Sequence, residues 1–396
     1  MELNPRYLSS VHWLDWVSEP DVTTRGTWDI LQSCVVAIFF CTATSLHLNI
    51  PNEMYGDWRR RWTRFCWMTV NTLAPEIFMC IAMSQFLEAK IVLRKIDKYC
   101  DKYQELNPQW DITQAFYFNM GAWKFKLRKS YRSRHGHKSY LDSKQLKMKH
   151  LEAIIRKGLL PQITKDTATI MKYSKQDRLA KAIALAQALR LLIQTFSRMA
   201  QHLPTSPLEV TAVAYISCTF FSWLLWFHKP QGVGFSNEVT DRLFEEVFHE
   251  SCTKPGMHSH DGSDSSGKFK GWKNQLPNIR RNCSWPELVI IGMTWCFTAA
   301  LFGGLHNLAW NYEFPTVGEQ ILWRVSSILI VVLPPAFYLC VLILPFTGPV
   351  AYFGTALAIL YIVARSYNFL EVFFSLRATP ELLYKRVHWT NLFPHF

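Results

Sequence analysis

Long apolar runs alternate with polar stretches along the chain, and the length of these runs indicates the architecture. A helix that crosses a bilayer needs about 20 mostly apolar residues. Five runs reach that length: 30–50, 209–228, 287–309, 321–346 and 349–372. Two further runs, 66–86 and 182–203, are interrupted by a proline or by charged residues. The pattern predicts an all-α, polytopic transmembrane helical bundle with about six or seven spans.

The run at 66–86 decides the span count, because it separates two basic regions. A cluster of arginines, WRRRWTR, lies at 58–64, and a longer basic block covers 90–181. Lys- and Arg-rich loops beside spans stay cytoplasmic, so both regions should lie on the same side of the membrane. Pro75 breaks a helix within the run. We therefore favour a segment that enters the membrane and returns, with the N-terminus outside; a seventh span is the alternative.

Polar stretches divide the chain into seven segments. They are an N-terminal polar segment (1–28), the first span with the second span or re-entrant segment (29–86), a basic cytosolic insert (87–181), a helical hairpin (182–228), a polar loop (229–285), a three-helix membrane segment (286–372) and a C-terminal tail (373–396). Apolar residues recur at helical spacing within the insert, which is therefore expected to be partly helical.

Charge is concentrated in the insert. The stretch 90–181 holds 22 Lys and Arg against 8 Asp and Glu, an excess as large as the net charge of +13 for the whole chain. Basic loops next to spans contact anionic lipid headgroups, so we expect this partner rather than nucleic acid. The location is predicted to be an integral, multi-pass one, in either the endoplasmic reticulum or the plasma membrane.

Composition supports membrane embedding and limits the cysteine chemistry. The hydrophobic share is 49% and the aromatic share 15%, while charged residues reach only 18%, below the usual quarter. Most of the 10 Cys lie in or beside apolar runs and form no CxxC pair. Such cysteines behave as small apolar residues, so we predict neither a disulfide framework nor a zinc site.

Ionisable residues inside or beside apolar runs are the candidates for chemistry. A charged side chain at the centre of a span costs about 2.5–3.5 kcal/mol on insertion scales, so it needs a partner, a wet cavity or a function. Glu76 follows Pro75 in the middle of its run. We predict Glu76, His306 and Glu319 as acid–base groups; a structural ion pair is the alternative for Glu76.

The stretch LFGGLHNLAWNYEFPTVGEQILWR, residues 301–324, carries the other candidates. Two glycines, Gly303 and Gly304, are expected to allow close approach of a neighbouring helix. Trp310 and Arg324, together with Arg198, are predicted to bind the substrate, with arginine as the partner of an anion. An aromatic belt at the membrane surface is the alternative, since Trp favours that interface.

The sequence lacks the familiar catalytic and metal-binding motifs, so it does not identify a cofactor. The chain has no GxSxG, HExxH, Walker loop, GxGxxG after a strand or DDxxD sequence, which disfavours the membrane enzymes that depend on them. His258 and His260 lie in a Gly- and Ser-rich stretch that offers a metal ion little preorganisation. We therefore predict no metal site.

Several segments resemble an uncharacterised family of multi-pass integral membrane proteins from filamentous fungi. The matching segments include GTWDILQSCVVAIFFCTATSLHLNIP, the LAPE run, AQALRLLIQTFSRMAQHLPTSPLEV, FGGLHNLAWNYEFPTVGEQILWRVSS and VARSYNFLEVFFSLRATPELLYKRVHWTNLFPHF. The resemblance covers both ends of the chain and most apolar segments. It implies a membrane location and a fungal source, and it assigns no activity to any residue.

Two function hypotheses follow from these features. The first is a membrane-embedded enzyme that acts on a lipophilic small molecule, of isoprenoid or polyketide type, in fungal specialised metabolism. The alternative is a non-enzymatic channel, transporter or receptor for a small molecule or ion. The enzyme requires Glu76, His306 and Glu319 to converge in a closed, aromatic-lined cavity, whereas a continuous water path favours transport.

Overall fold

The computed structural model describes residues 13–17, 24–50, 56–105, 108–133, 136–174, 178–239, 243–244, 246–247, 285–343 and 348–387. Within these ranges eleven α-helices form the main part of the molecule. They are α1 (Thr27–Ser45), α2 (Asp57–Leu73), α3 (Pro75–Tyr103), α4 (Ile112–Asn119), α5 (Leu151–Arg156), α6 (Thr167–Tyr173), α7 (Arg178–Ala200), α8 (Pro207–Leu225), α9 (Trp285–His306), α10 (Val317–Ile343) and α11 (Gly348–Phe374).

Six of these helices are long and apolar enough to cross a membrane: α1, α7, α8, α9, α10 and α11. Many of their apolar side chains remain exposed, as those of Phe39, Phe220 and Ile362 do, which suits contact with lipid. The all-α prediction is confirmed. The interrupted run at 182–203 belongs to α7, whose candidate span covers Leu179–Ala200.

The run at 66–86 is broken at the predicted proline. The helix α2 ends at Leu73, Ala74 has non-helical dihedral angles (φ −147°, ψ 72°), and Pro75 is the first residue of α3. Proline is favoured at the first helical position because its missing N–H would have no intrahelical acceptor there. Neither helix is among the six candidate spans. The predicted helix break at Pro75 is therefore confirmed.

The turn between α2 and α3 lies at the middle of the bundle. The Tyr215 hydroxyl donates a hydrogen bond to the Thr72 carbonyl, and Arg365 Nε donates to the Leu73 carbonyl at 2.8 Å. Tyr215 and Arg365 lie near the middles of α8 and α11. The chain thus reaches about half the depth of the candidate spans before it turns.

The helix α3 then runs back toward the end at which α1 and α8 finish. Trp226 follows the last residue of α8; its indole donates to Gln85 at 3.0 Å and its ring lies 5.8 Å from that of Phe78. His47, just after α1, contacts the same indole. We call α2 and the first half of α3, residues 57–88, the half-depth hairpin.

The lengths of the helices agree with this path. The distance from Arg64 to Leu73 along α2 is about 14 Å at ~1.5 Å per residue, which is close to half of a hydrocarbon core of ~30 Å. The arginines of α2 therefore reach headgroup level when its tip lies at mid-depth. The 29 residues of α3 extend about 43 Å, so its second half leaves the bundle.

The basic insert is built around the second half of α3, which packs against α4 and α5. It contains more than the helices that the sequence predicts. Strands β2 (Trp123–Ser133) and β3 (Gly136–Gln145) form an antiparallel hairpin, and β4 (Asn237–Val239) pairs in parallel with β2. The strand order is β3-β2-β4, so the basic stretch 124–133 within the insert belongs to a three-stranded sheet.

Described segments near both ends of the chain pair with each other at the opposite end of the bundle. Strand β1 (Trp13–Leu14) pairs with β5 (Thr379–Pro380), and Thr24 forms an isolated bridge with Lys385. Most of the predicted polar loop, with His258 and His260, lies outside the described residues, as do parts of the N-terminal segment and the tail.

Candidate functional site

Glu76 occupies the first turn of α3, in the centre of the bundle. Its side chain is fully buried beside the Tyr361 hydroxyl, and neither carboxylate oxygen makes a hydrogen bond of ordinary geometry within the described part of the chain. The nearest cation is Arg365, whose Nη2 lies 3.8 Å from Oε1. The position near a helix N-terminus favours a negative charge, but a buried carboxylate is ordinarily hydrogen-bonded as well. Glu76 is therefore buried with less compensation than its charge requires.

Arg365 connects α11 to both ends of the break in the hairpin. Its Nε donates to the carbonyl of Leu73, the last residue of α2. Its Nη2 faces Glu76 and lies 3.4 Å from the Tyr215 hydroxyl. The guanidinium carbon lies 3.6 Å from the centre of the Phe302 ring, within cation–π range. Arg365 thus holds the tip of the half-depth hairpin against α8, α9 and α11.

His306 lies beside the Glu76–Arg365 pair, because Phe302 contacts both His306 and Arg365. Its ring centre is 4.4 Å from that of Phe302 and 5.6 Å from that of Trp323. Nδ1 faces the Phe302 carbonyl at 2.7 Å, and Nε2 lies 3.0 Å from the Thr211 hydroxyl. A carbonyl only accepts, so Nδ1 carries the proton and Nε2 accepts from Thr211. Both ring nitrogens of His306 are therefore already engaged.

Glu319, the third predicted acid–base residue, lies elsewhere. It forms an ion pair with Arg377 near the end of α11, and its backbone carbonyl accepts a hydrogen bond from Tyr367 at 3.3 Å. The structure brings Glu76 and His306 to the surroundings of Arg365 and leaves Glu319 outside that group. The expected convergence of three acid–base residues is limited to two.

The three residues predicted to bind a substrate lie apart from the Glu76–Arg365 pair. Trp310 and Arg324 contact each other near the surface, and Arg198 is buried. Arg324 donates through Nε to the Trp310 carbonyl at 3.0 Å and stacks on that indole at 5.0 Å; both side chains are partly exposed. Arg198 is fully buried, and its guanidinium donates to the carbonyls of Pro204, Leu383 and Lys385 at 2.7–3.0 Å. Arg198 therefore fastens the C-terminal tail to α7.

Sequence reasoning assigned no role to Arg365 or Tyr215. A signal for Arg365 was present, since it is a cation in the middle of a long apolar run and so requires a counter-charge. The missing information was which acidic residue it meets, because Glu76 and Arg365 are far apart in the sequence.

The Glu76–Arg365 pair can exchange its internal ion pair for a bound proton and a bound anion. Within the described ranges no cluster of three or more His, Cys, Asp or Glu side chains is placed to hold a metal ion. Glu76 and Arg365 together are neutral, and the carboxylate has free acceptor capacity. A proton can bind to Glu76, and an anion can bind to Arg365 once the carboxylate no longer neutralises it.

Comparison with known proteins identifies the family. The model of a family described as "Family of unknown function (DUF8562)" matches residues 7–255. The match covers more than half of the chain, which therefore belongs to this family. No curated protein and no solved structure matches the chain. The matched region includes the half-depth hairpin, with Glu76, and also Tyr215 on α8. His306 and Arg365 lie beyond it.

Proposed function

We propose that this member of the family is a membrane transporter that couples a proton to a small anion at the Glu76–Arg365 pair. The observation that supports the proposal is a carboxylate at the centre of the bundle that has no hydrogen bond and faces an arginine at 3.8 Å. Intramembrane ionisable residues mark ion pathways and proton relays.

Charge neutrality makes the coupling obligatory. In the resting state Glu76 and Arg365 neutralise each other across 3.8 Å. A proton on Glu76 alone leaves a buried, unpaired guanidinium, and an anion on Arg365 alone leaves a buried, unpaired carboxylate. Each of these states is strongly unfavourable, because removing one partner of a buried pair costs about 3–5 kcal/mol. Binding of a proton and an anion together keeps the centre neutral.

The half-depth hairpin provides the structural element for such a site. Non-helical backbone at membrane depth occurs where it is buried in protein or lines a cavity, and transporters place their sites at the ends of discontinuous helices. Here the carbonyls at the end of α2 and the first turn of α3 meet at Arg365. Movement of the hairpin relative to α11 would open the pair to one side of the membrane.

The same reasoning gives the orientation. The arginines of α2 and the basic insert lie toward the same end of the bundle, and we place this end in the cytoplasm, against anionic lipid headgroups. The two chain ends then face the other side.

The acid–base enzyme of fungal specialised metabolism stays a prediction. It receives less support from the geometry, because Glu319 is paired with Arg377 and both nitrogens of His306 are engaged.

Reconstituted vesicles test the proposal. The full chain is inserted into phosphatidylcholine vesicles that contain a pH-sensitive dye, and inward gradients of chloride, phosphate and sulfate are imposed in turn. We expect at least one anion to acidify the lumen faster than in empty vesicles. Glu76→Gln should retain exchange of that anion but lose the linked acidification, and Arg365→Gln should lose both.

Glu319→Gln is the matched control, because it removes a carboxylate that forms an ion pair outside the centre; it should leave both fluxes unchanged. Two results would contradict the proposal: no anion-dependent acidification above empty vesicles, or acidification that persists in Glu76→Gln.

A further inference from the structure

A second charged region lies in a groove between α1 and α7, at the end of the bundle where the chain ends meet. The groove has a volume of about 740 Å³, within the range of small-molecule sites. From α7 it is lined by Gln187, Arg190 and Gln194, which share one helical face because they lie three and four residues apart. From α1 it is lined by Asp29 and Ser33. A polar groove therefore opens along a helix that is apolar enough to cross a membrane.

Three of the four arginines in this groove are held by the protein. Arg25 forms a bidentate pair with Glu209, Arg198 donates to backbone carbonyls, and Arg386 Nε donates to the Thr24 carbonyl at 2.6 Å. Glu209 neutralises Arg25, whereas Arg198 and Arg386 are held by uncharged backbone carbonyls and give the wall of the groove a fixed positive charge.

The fourth arginine, Arg190, is exposed and makes no hydrogen bond or ion pair within the described part of the chain. The acid that lines the groove, Asp29, accepts a hydrogen bond from the backbone N–H of Gly26. An uncommitted guanidinium on a candidate span is unfavourable unless water or an anion meets it. The groove thus has an excess of positive charge and one cation free to bind.

Apolar side chains are exposed on both helices that form the groove: Leu189, Ile193 and Phe196 on α7, and Phe39 on α1. Ile193 lies three residues after Arg190, so the two share one side of α7. A ligand with a charged head at Arg190 could therefore place an acyl chain against these side chains. A small inorganic anion would use only the polar part of the groove.

We propose that the groove between α1 and α7 binds an anionic amphiphile, with its carboxylate or phosphate head at Arg190 and its acyl chain along α7. The groove shares no residue with the Glu76–Arg365 centre, so this site does not depend on the proposed transport. The ligand enters from the lipid phase, since α7 carries exposed apolar side chains and is long and apolar enough to cross a membrane.

Photolabelling of the full chain tests this site. The protein is placed in phosphatidylcholine nanodiscs and labelled with palmitic acid that carries a diazirine on its chain, and the labelled peptides are mapped by mass spectrometry. We expect saturable labelling of α1 and α7. Unlabelled palmitate or phosphatidic acid should compete, and the stronger of the two identifies the preferred head.

Arg190→Gln should weaken the apparent affinity about tenfold or more, as expected for the loss of a charge-assisted contact. The control is Arg324→Gln, which removes a partly exposed arginine outside the groove and should leave the labelling unchanged. Thermal unfolding of Arg190→Gln should match that of the parent chain, since Arg190 has no partner in the described part of the chain.

Three outcomes would overturn the proposal. These are labelling that does not saturate on α1 and α7, an unchanged affinity in Arg190→Gln, and competition by methyl palmitate as strong as that by palmitate. Competition by inorganic phosphate at the same concentration as phosphatidic acid would also overturn it, because the acyl chain would then contribute nothing.

Discussion

Two buried glutamate–arginine pairs in the bundle are alike in position and unlike in bonding. Glu76 and Glu209 are both fully buried in the first turn of a helix. Glu209 accepts two hydrogen bonds from Arg25, at 2.5 and 3.0 Å, and a third from the Ser206 backbone N–H at 3.0 Å. Glu76 has one arginine at 3.8 Å and no hydrogen bond in the described residues.

The difference separates a structural pair from one that can change its charge state. A buried pair stabilises a fold only when good geometry and further hydrogen bonds offset its desolvation. Glu209 meets that condition, and it links the N-terminal segment to the start of α8. Glu76 does not meet it, although it lies deeper in the bundle. We therefore expect Glu209 to determine stability and Glu76 to determine activity.

The largest effect on stability is expected from Glu209→Gln. This change removes the carboxylate that satisfies Arg25 and leaves the guanidinium buried without a counter-charge, which costs about 3–5 kcal/mol. The free energy of unfolding can be measured by denaturant titration in detergent micelles. A loss below ~1 kcal/mol would show that the bidentate pair contributes no more than an exposed one.

A smaller effect is expected from Gly303→Ala, which tests the packing of α9 against α10. A Cβ at this position would lie 2.6 Å from Val331 Cγ2 and 3.2 Å from the Ser327 carbonyl, whereas a Cβ at Gly304 meets nothing within 4 Å. Overpacking costs about 1–3 kcal/mol, so Gly303→Ala should lower the melting temperature. Gly304→Ala is the neighbouring control and should not lower it; equal losses in both would contradict the packing argument.

The sequence predicts the half-depth hairpin better than it predicts either ion pair. Helix breaks and apolar runs are local properties, so Pro75 indicates the turn and the apolar run around Glu76 indicates its burial. Pairing is not local: Arg25 lies in a polar segment 184 residues from Glu209, and the arginine that meets Glu76 is on the last span. Apolar periodicity also gives no sign of the sheet in the insert, where alternating basic residues suit strand and loop alike.

A buried histidine shows a third way to hold an ionisable group, namely in its neutral form. Burial lowers the pKa of His47 from 6.5 to about 3, with the nearby charge of Lys229 acting in the same direction, against a hydrogen bond to the Ser45 carbonyl. Below pH 6.5 the unfolded chain binds a proton that the folded chain does not, so stability falls as the pH drops toward 3.

The loss expected from His47 alone between pH 7.5 and 5.5 is about 1.4 kcal/mol at ~1.36 kcal/mol per pH unit. Denaturant titrations at the two pH values measure it. Burial also lowers the pKa of His150 in the insert to about 3, so His47→Gln should reduce the dependence by its own share rather than abolish it, and the exposed His228→Gln should leave it as in the parent chain. A dependence of the same size in His47→Gln would show that another group is responsible.

A smaller loss of stability is expected from Glu76→Gln than from Glu209→Gln. The change leaves the Arg365 guanidinium without its counter-charge, but it also removes a carboxylate whose desolvation is poorly offset, and Arg365 keeps its contacts with Leu73 and Phe302. Double-mutant cycles with glutamine at both positions of each pair measure the two coupling energies directly. A larger coupling for Arg25–Glu209 than for Glu76–Arg365 is the result that the geometry requires. Equal couplings would mean that Glu76 is as firmly bound as Glu209, and a carboxylate held that firmly would have no reason to exchange its arginine for a proton.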